Sequence, residues 1–329
     1  MKSPFTGGNA ILCSEKRKTT FRKEQYEYVH QYYKCIDTNE YFTTTELDNV
    51  NVMQVYNQYR VKYGIPFADE IKNIRSLYGL SATKMASILG FGDNMYRLYE
   101  NGEIPNVANG KTLKAILSPS VFKKYIENAK DSLKESEYSE ILSKIKDLCN
   151  LQYSNDTFIK NILFENSRGE YNGFAPQSIS RLKNVILFFI EKFGGVFQTF
   201  INKLLFYTDF VAYRDNGQSI TGLSYRAIQF GPVPTKWQMV YGGAIEDIDS
   251  EEVSFKNGNI GIKLISKIQY DKNSLTKEEI RILEKVYNTF KNDTSISISE
   301  KSHKEEAWIM NQEKHNIINF NYAFNLKAI

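Results

Sequence analysis

Residues 197–217, FQTFINKLLFYTDFVAYRDNG, read as a helix that is apolar on every side. Such a helix must be wrapped by other elements, so this segment forms the centre of a domain. It carries a carboxylate that an apolar centre normally excludes, Asp209, which therefore has to be paired or hydrogen-bonded. Arg214 and the hydroxyl of Tyr225 are the candidate partners, and internal pairing is expected over contact with another protein. Around this helix the pattern supplies the wrapping. ISRLKNVILFFIEKFGG precedes it as a helix ending at Gly194 and Gly195. SITGLSYRAIQFGPVP turns to period two and ends in a rigid GPVP turn, and EEVSFKNGNIGIKLI reads as a hairpin turning at 256–258. SLTKEEIRILEKVYNTFKN is a helix capped by Ser274 or Thr276, with Glu278 and Glu279 in its first turn. SISEKSHKEEAW closes the half as an amphipathic piece.

The other end of the chain is patterned differently. Residues 1–62 alternate β-branched and aromatic residues in stretches such as EYVHQYYKCID and predict short strands. KRKTTFRK, residues 16–23, puts five positive charges in eight positions and reads as a solvated hairpin tip. From Phe67 the period becomes helical. Ile71, Ile74, Leu77 and Tyr78 share one face of a helix that starts after Pro66 and stops at Gly79. Ser81 is placed to cap a second helix whose Met85, Ile88 and Leu89 point inward. Gly90 and Gly92 bracket a turn, Asp93 caps a third helix closed by Gly102, and 111–117 reads as one more. Residues 118–178 predict a helical connector, with a domain boundary in the Gly-, Asn- and Pro-rich stretch 166–178.

Two short helices joined by a Gly-containing turn, with a supporting helix before them, make a helix-turn-helix pattern. Ala86 is the small residue its crossing requires. Asp93, Asn94, Tyr96 and Arg97 at the start of the third helix are placed to face base edges, where Asn pairs with adenine and Arg with guanine. Ser81, Thr83 and Lys84 lie where phosphates would pass. Tyr99 is assigned to the core and Glu100 to fastening the turn.

Composition narrows the function classes. The chain has 329 residues with 42 Lys+Arg against 38 Asp+Glu, which excludes a polybasic tail protein and an acidic disordered one. Any nucleic-acid surface is then a local patch. Three widely spaced cysteines, Cys13, Cys35 and Cys149, give no disulfide framework and suit a reducing compartment. The opening MKSPFTGGNAILC has no uninterrupted apolar run, so no signal peptide and no membrane partner is expected, and a cytoplasmic location is.

The stretch IRSLYGLSATKMASILGFGDNMYRLYENGEIP resembles the Cro/repressor-type helix-turn-helix, in the version found in MqsA-type antitoxins. That resemblance implies a preceding zinc ribbon with two CxxC pairs. Here the first pair is replaced by Ser3-Pro4-Phe5-Thr6 before Gly7 and Gly8, and the second reads Cys35-Ile36-Asp37-Thr38. Four-coordinate zinc needs four good ligands, so a degenerate, metal-free ribbon is expected, held by packing among Tyr26, Tyr28, Tyr32, Tyr33, Tyr41 and Phe42. No cofactor is expected.

KLLFYTDFVAYRDNGQSITGLSYRAIQFGPVP, LTKEEIRILEKVYNTF and the SISEKSHKEEAW tail resemble the Panacea, or SocA-like, antitoxin domain across residues 181–324. The resemblance implies a domain that binds and neutralises a toxin encoded beside it. Aromatic residues in excess of a small core support an interface, because Tyr and Trp bury much area with little rotamer loss. Tyr207, Phe210, Tyr213, Arg214, Tyr225, Phe230, Lys236 and Trp237 are the candidate toxin-binding residues, with the GPVP turn holding Lys236 and Trp237 outward.

Enzyme readings find little support. Gly110-Lys111-Thr112 lacks the glycine a phosphate loop needs where Pro105 stands, and His30, His303 and His315 form no metal spacing. No GxSxG elbow is present. The expected fold is mainly α with small β elements: a ribbon-like β unit at 1–62, a helix-turn-helix bundle at 63–117, a connector at 118–178 and an α-rich α+β domain at 179–329. The expected function is a type II antitoxin with a cognate toxin, operator DNA and a second copy of itself as partners. A stand-alone transcriptional regulator with a sensing C-terminal domain, or a proteolytic adaptor, is the alternative.

Overall fold

The computed structural model describes residues 1–150, 163–164, 167–241, 245–255 and 258–329. It is mainly helical with small antiparallel sheets. The chain divides into two compact units, Met1–Val55 with Ile159–Ile329, and Tyr56–Phe158. The N-terminal strands thus belong to the same unit as the C-terminal elements, whereas the sequence pattern sets 1–62 apart.

In the first unit, β1 (Ala10–Phe21) and β2 (Glu24–Cys35) form a long antiparallel hairpin in register from Ala10 opposite Cys35 to Phe21 opposite Glu24. Its two-residue turn is Arg22-Lys23, both with positive φ (48° and 71°), the backbone that matches strand twist. The positive tip is exposed, as the sequence suggests. β3 (Tyr41–Phe42) adds two residues to β2. Helix α1 (Thr45–Tyr63) begins in this unit and satisfies the remaining β2 edge with side-chain amides. Asn51 accepts from Gln31 N at 2.8 Å and donates to Gln31 O at 2.9 Å, and Gln54 does the same for Val29 at 2.9 Å each way. Each amide replaces a neighbouring strand's peptide group, so the edge offers little template for further pairing.

The C-terminal elements are α8 (Ile179–Phe193), β4 (Val196–Phe197), α9 (Gln198–Asn216), β5 (Tyr225–Ile228), β6 (Gly231–Pro234), α10 (Trp237–Tyr241), β7 (Asp249–Ser254), β8 (Ile260–Ile265), α11 (Lys277–Phe290), α12 (Ser295–Ser302) and α13 (Glu306–Ile309). A 3₁₀ turn spans Phe320–Asn325. α9 is the predicted centre, with every residue from Phe200 to Tyr213 buried. β4, β8 and β7 form one sheet, in the order β4-β8-β7, and β5 pairs with β6. The hairpin read from EEVSFKNGNIGIKLI is present as β7 and β8, but Lys256 and Asn257 of its turn lie outside the described residues. Thr276 rather than Ser274 caps α11, in a capping box with Glu279, because Ser274 is taken up in a preceding 3₁₀ turn. GPVP is not a turn but strand β6, paired with β5 and buried along its length.

In the second unit, α2 (Ala68–Tyr78), α3 (Ala82–Leu89), α4 (Met95–Glu100), α5 (Val107–Ala115), α6 (Pro119–Asn128) and α7 (Glu135–Asn150) share one apolar core. Gly79 and Gly90 end α2 and α3 in left-handed conformation, as their placement predicts. One helix face and two boundaries differ from expectation. Leu77 is exposed, because the α2 face that meets the core is centred on Ile71, Ile74 and Tyr78. Asp93 caps nothing, since α4 starts a residue later with Asn94 before it. α5 begins at Val107, capped by the Asn106 side chain. Gly110 sits inside α5 where a Cβ would lie 2.8 Å from Ile65, a packing reason for a glycine there. α6 and α7 are more than a connector: Phe122, Ile126, Ile141 and Ile145 complete the core, and Phe122 stacks on Tyr78 with ring centroids 4.0 Å apart. The rest of the 118–178 connector and boundary, at 151–162 and 165–166, lies outside the described residues.

Candidate functional site

The candidate DNA-facing residues divide by burial. Ser81, Thr83, Asp93, Asn94 and Arg97 are exposed. Ser81 caps α3, accepting from Lys84 N at 3.2 Å. Lys84 is half-buried and ion-paired with Glu137 at 3.2 Å, which holds that carboxyl below the usual carboxylate range. Tyr96 has to be withdrawn from the base-reading set: it is fully buried and donates its hydroxyl to Ile71 O at 2.9 Å. In a helix of six residues that starts at Met95, the inward face falls on Tyr96 and Tyr99, leaving Arg97 outward. Glu100 receives the Arg75 guanidinium at 2.6 Å while Arg75 also donates to Leu80 O at 3.0 Å, so this pair ties α4 to the end of α2.

At the root of the hairpin, the four positions that would carry zinc ligands in a ribbon come together. The loop from Ser3 closes through Ser3 N to Gly8 O and Gly7 N to Ser3 O, both 2.9 Å. The loop from Cys35 closes through Asn39 N to Cys35 O at 3.0 Å and Cys35 N to Glu40 O at 2.9 Å. Cys35 is enclosed, and hydrogen bonds from Ser3, Thr38 and Thr6 bring its thiol down to about 6 against the opposing effect of burial. Thr6 Oγ1 lies 3.7 Å from Cys35 Sγ and donates to Asp37 at 2.7 Å. Among the described residues no group of three or more His, Cys, Asp or Glu is gathered as a metal site.

In the C-terminal elements, Asp209 is paired internally, as expected. It is fully buried and accepts from Ile220 N at 2.9 Å, Thr221 N at 2.8 Å, the Thr221 hydroxyl and the Tyr225 hydroxyl at 2.6 Å. Burial pushes its carboxyl above the ordinary value, opposed by these donors. Arg214 is not its partner. It donates to Asp215 and to Ile329 O, each at 2.8 Å, and so anchors the chain end.

Four candidate toxin-binding residues are core residues instead. Tyr207, Phe210, Tyr213 and Tyr225 are enclosed in an aromatic cluster in which Phe210 stacks on Phe320 at 4.3 Å and Tyr207 meets Phe290 at 4.6 Å. The aromatic excess fills the centre around α9 rather than a surface. Phe230 keeps an outward position, 64 % exposed in the β5–β6 turn. Lys236 and Trp237 are half-buried at the start of α10.

The structure adds residues that sequence reasoning missed. Trp308 Nε1 donates to Ile228 O at 2.7 Å, which fixes Trp308 beside the turn that carries Phe230. His303 packs on Trp308 with ring centroids 4.2 Å apart. Ile309 and the 63 % exposed Met310 follow in the chain. The signal is present in EEAWIM, a run of apolar residues at the end of a polar tail. Lys203 is legible only as a cation within the apolar stretch of this helix, and it is fully buried.

Residues 201–309 match the family described as the antitoxin SocA-like, Panacea domain. The match starts inside α9 and ends on the last residue of α13, so the Asp209 cluster, the β5–β6 hairpin and the Trp308 contact all fall within it. These residues constitute an antitoxin-type domain. No curated protein and no solved structure matches the chain. Among the described residues no helix is long and apolar enough to cross a membrane.

Proposed function

We propose that the chain is the antitoxin of a type II toxin–antitoxin pair and acts by binding rather than by catalysis. The observation that carries this reading is the antitoxin-type domain at 201–309. Its C-terminal elements mask the toxin by stoichiometric contact. The docking surface centres on Phe230 and Trp308, with Ile309, Met310 and the half-buried Trp237 as further apolar contacts. Exposed apolar residues braced by a hydrogen-bonded tryptophan are the kind of rigid anchors on which interfaces depend.

The α2–α4 segment acts as a helix-turn-helix of the type that follows a zinc ribbon in MqsA-type antitoxins, with Asn94 and Arg97 reading operator bases. Ser81 and Thr83 then lie along the phosphates, and a homodimer spans two half-sites. Buried Ser3 and Cys35, with the exposed Thr6 and Thr38 hydrogen-bonded to the thiol, support the degenerate-ribbon reading, since hydroxyls occupy three of the four ligand positions.

Co-expression tests the proposal. The adjacent open reading frame, induced alone, arrests growth, and this chain restores it. Phe230→Glu with Trp308→Ala abolishes the rescue while the protein stays folded. A neighbour that is harmless alone, or one that this chain cannot rescue, removes the antitoxin reading.

A further inference from the structure

Two sheets of the first unit end in open strands of opposite charge. β1 ends the sheet β1-β2-β3, and β7 ends the sheet β4-β8-β7. Which groups of β1 are open follows from its register with β2. Gln54 and Asn51 take the backbone of Val29 and Gln31 on the far side of β2, so the residues opposite these, Lys16 and Ser14, turn their own N–H and C=O away from β2. Leu12 and Lys18 share that parity. On β7, Phe255 N donates to Asn259 O at 2.9 Å across the hairpin, which sets Val253 and Glu251 toward β8 and turns Ser250, Glu252 and Ser254 outward. The outward residues of both strands are exposed, and among the described residues their backbone groups meet no further element.

The side chains along these edges are sorted by sign. From Leu12 to Lys18, β1 carries Lys16, Arg17 and Lys18 against Glu15 alone. β7 carries Asp249, Glu251 and Glu252 and no basic residue. Some of these charges already have partners at the surface: Arg17 meets Glu15 at 2.6 Å, Lys18 meets Glu27 at 3.0 Å, and Glu251 lies 3.8 Å from Lys263. Exposed pairs of this kind hold weakly and exchange readily. Lys16 and Glu252 have no ion pair among the described residues. Charges of one sign keep an open edge from pairing with its own kind. They do not keep a basic edge from an acidic one.

We propose that the open edge of β1 docks on the open edge of β7 in a second copy of this chain, antiparallel, with Lys16 opposite Glu252. That register sets Arg17 opposite Glu251 on the other face of the sheet, and Ser14 and Lys18 opposite Ser254 and Ser250. The outward pairs, Ser14 with Ser254, Lys16 with Glu252 and Lys18 with Ser250, exchange backbone hydrogen bonds, and the sheets join across the copies as β3-β2-β1-β7-β8-β4. The charges also fix the register. Sliding β7 by two residues one way sets Glu15 against Glu251, and the other way leaves Lys18 with Glu252 as the one charge pair. Because the edges differ, a two-fold dimer makes the contact twice, and a head-to-tail arrangement extends it. The contact depends neither on the antitoxin reading nor on a homodimer formed on operator DNA.

Sedimentation equilibrium of the full chain without DNA tests it, over a concentration series at low and high salt. The expected result is a reversible self-association that weakens as salt rises, since the paired charges are exposed. Lys16→Glu with Arg17→Glu weakens it about tenfold or more, and so does Glu251→Lys with Glu252→Lys. Mixing the two double variants restores association, because each then meets an edge of the opposite sign. All four substitutions in one chain restore it as well, the two edges having traded charge. Circular dichroism checks that each variant is folded, and the mixture carries the test should the quadruple variant not fold. A wild type that stays monomeric throughout, self-association that both double variants leave unchanged, or double variants that stay apart when mixed would overturn the proposal.

Discussion

The Tyr225 hydroxyl donates to Asp209 Oδ2 at 2.6 Å, joining the first residue of β5 to the middle of the buried helix α9. The other carboxylate oxygen takes Ile220 N and Thr221 N, so one side chain fixes the loop between α9 and β5. The β5–β6 hairpin, and Phe230 at its turn, is positioned from there.

Removing the acceptor strands two buried backbone donors. Asp209→Ala is expected to destabilise the C-terminal elements by about 3 kcal/mol or more, and Tyr225→Phe by about 1 kcal/mol. Urea unfolding followed by tryptophan fluorescence measures this, because both tryptophans, Trp237 and Trp308, lie in these elements. Equal midpoints for Asp209→Ala and wild type would show that the loop is held by something other than this carboxylate.

Phe122 tests whether α6 belongs to the helical core of the second unit. It is fully buried against Tyr78, and Phe122→Ala leaves a cavity that costs about 3–5 kcal/mol. The expected result is faster amide hydrogen exchange in α2 and α3. Protection that matches wild type would reduce α6 to a connector.

The exposed pair Asn94 and Arg97 makes the DNA claim testable without disturbing the fold. Asn94→Ala with Arg97→Ala should lose retardation of the operon's own promoter fragment, and Tyr96→Phe should keep it, since that hydroxyl serves Ile71 O. Retardation surviving in the double variant would take both side chains out of base reading.

What can be read from the residues follows from how local the controlling physics is. The burial of α9, the hydrogen bonding of Asp209 and the glycine ends of α2 and α3 depend on one segment's composition, and they are legible. Burial of Tyr207, Phe210, Tyr213 and Tyr225 is not, because an excess of aromatics describes a large core and an interface equally well until Phe290 and Phe320 are known to face them. Tyr96 falls on the wrong face in the sequence pattern because a start one residue later turns a six-residue helix by about 100°. The isolation of Lys203, whose Nζ has no hydrogen-bond partner, depends on where Glu305, Asp293 and Asp209 spend their oxygens, which no sequence pattern records.

Cys35 carries the prediction for the N-terminal loops. With hydrogen bonds from Ser3, Thr38 and Thr6 holding its pKa at about 6, the thiolate absorbance of Cys35 should appear around that pH. Cys35→Ser should remove that step alone. Since the three hydroxyls surround the sulfur, the triple variant Ser3→Cys, Thr6→Cys, Thr38→Cys should bind one zinc per chain in tetrahedral thiolate coordination. A triple variant that folds and takes up no zinc would mean that the loops no longer have ligand geometry.

Lys203 gives a pH dependence of definite sign. Its folded value, about 7, lies below its ordinary 10.5, so between those values the unfolded chain binds more protons than the folded one. Stability then rises with pH through that window and is unaffected by this group below it. Lys203→Met should remove that rise and should exceed wild type below pH 7 by on the order of a few kcal/mol, the cost of the buried ammonium. Urea unfolding of both proteins at pH 6, 8 and 9.5, read by tryptophan fluorescence, separates the group from all others, because their contributions cancel in the difference. Parallel stability profiles would mean that the ammonium already has a partner in solution.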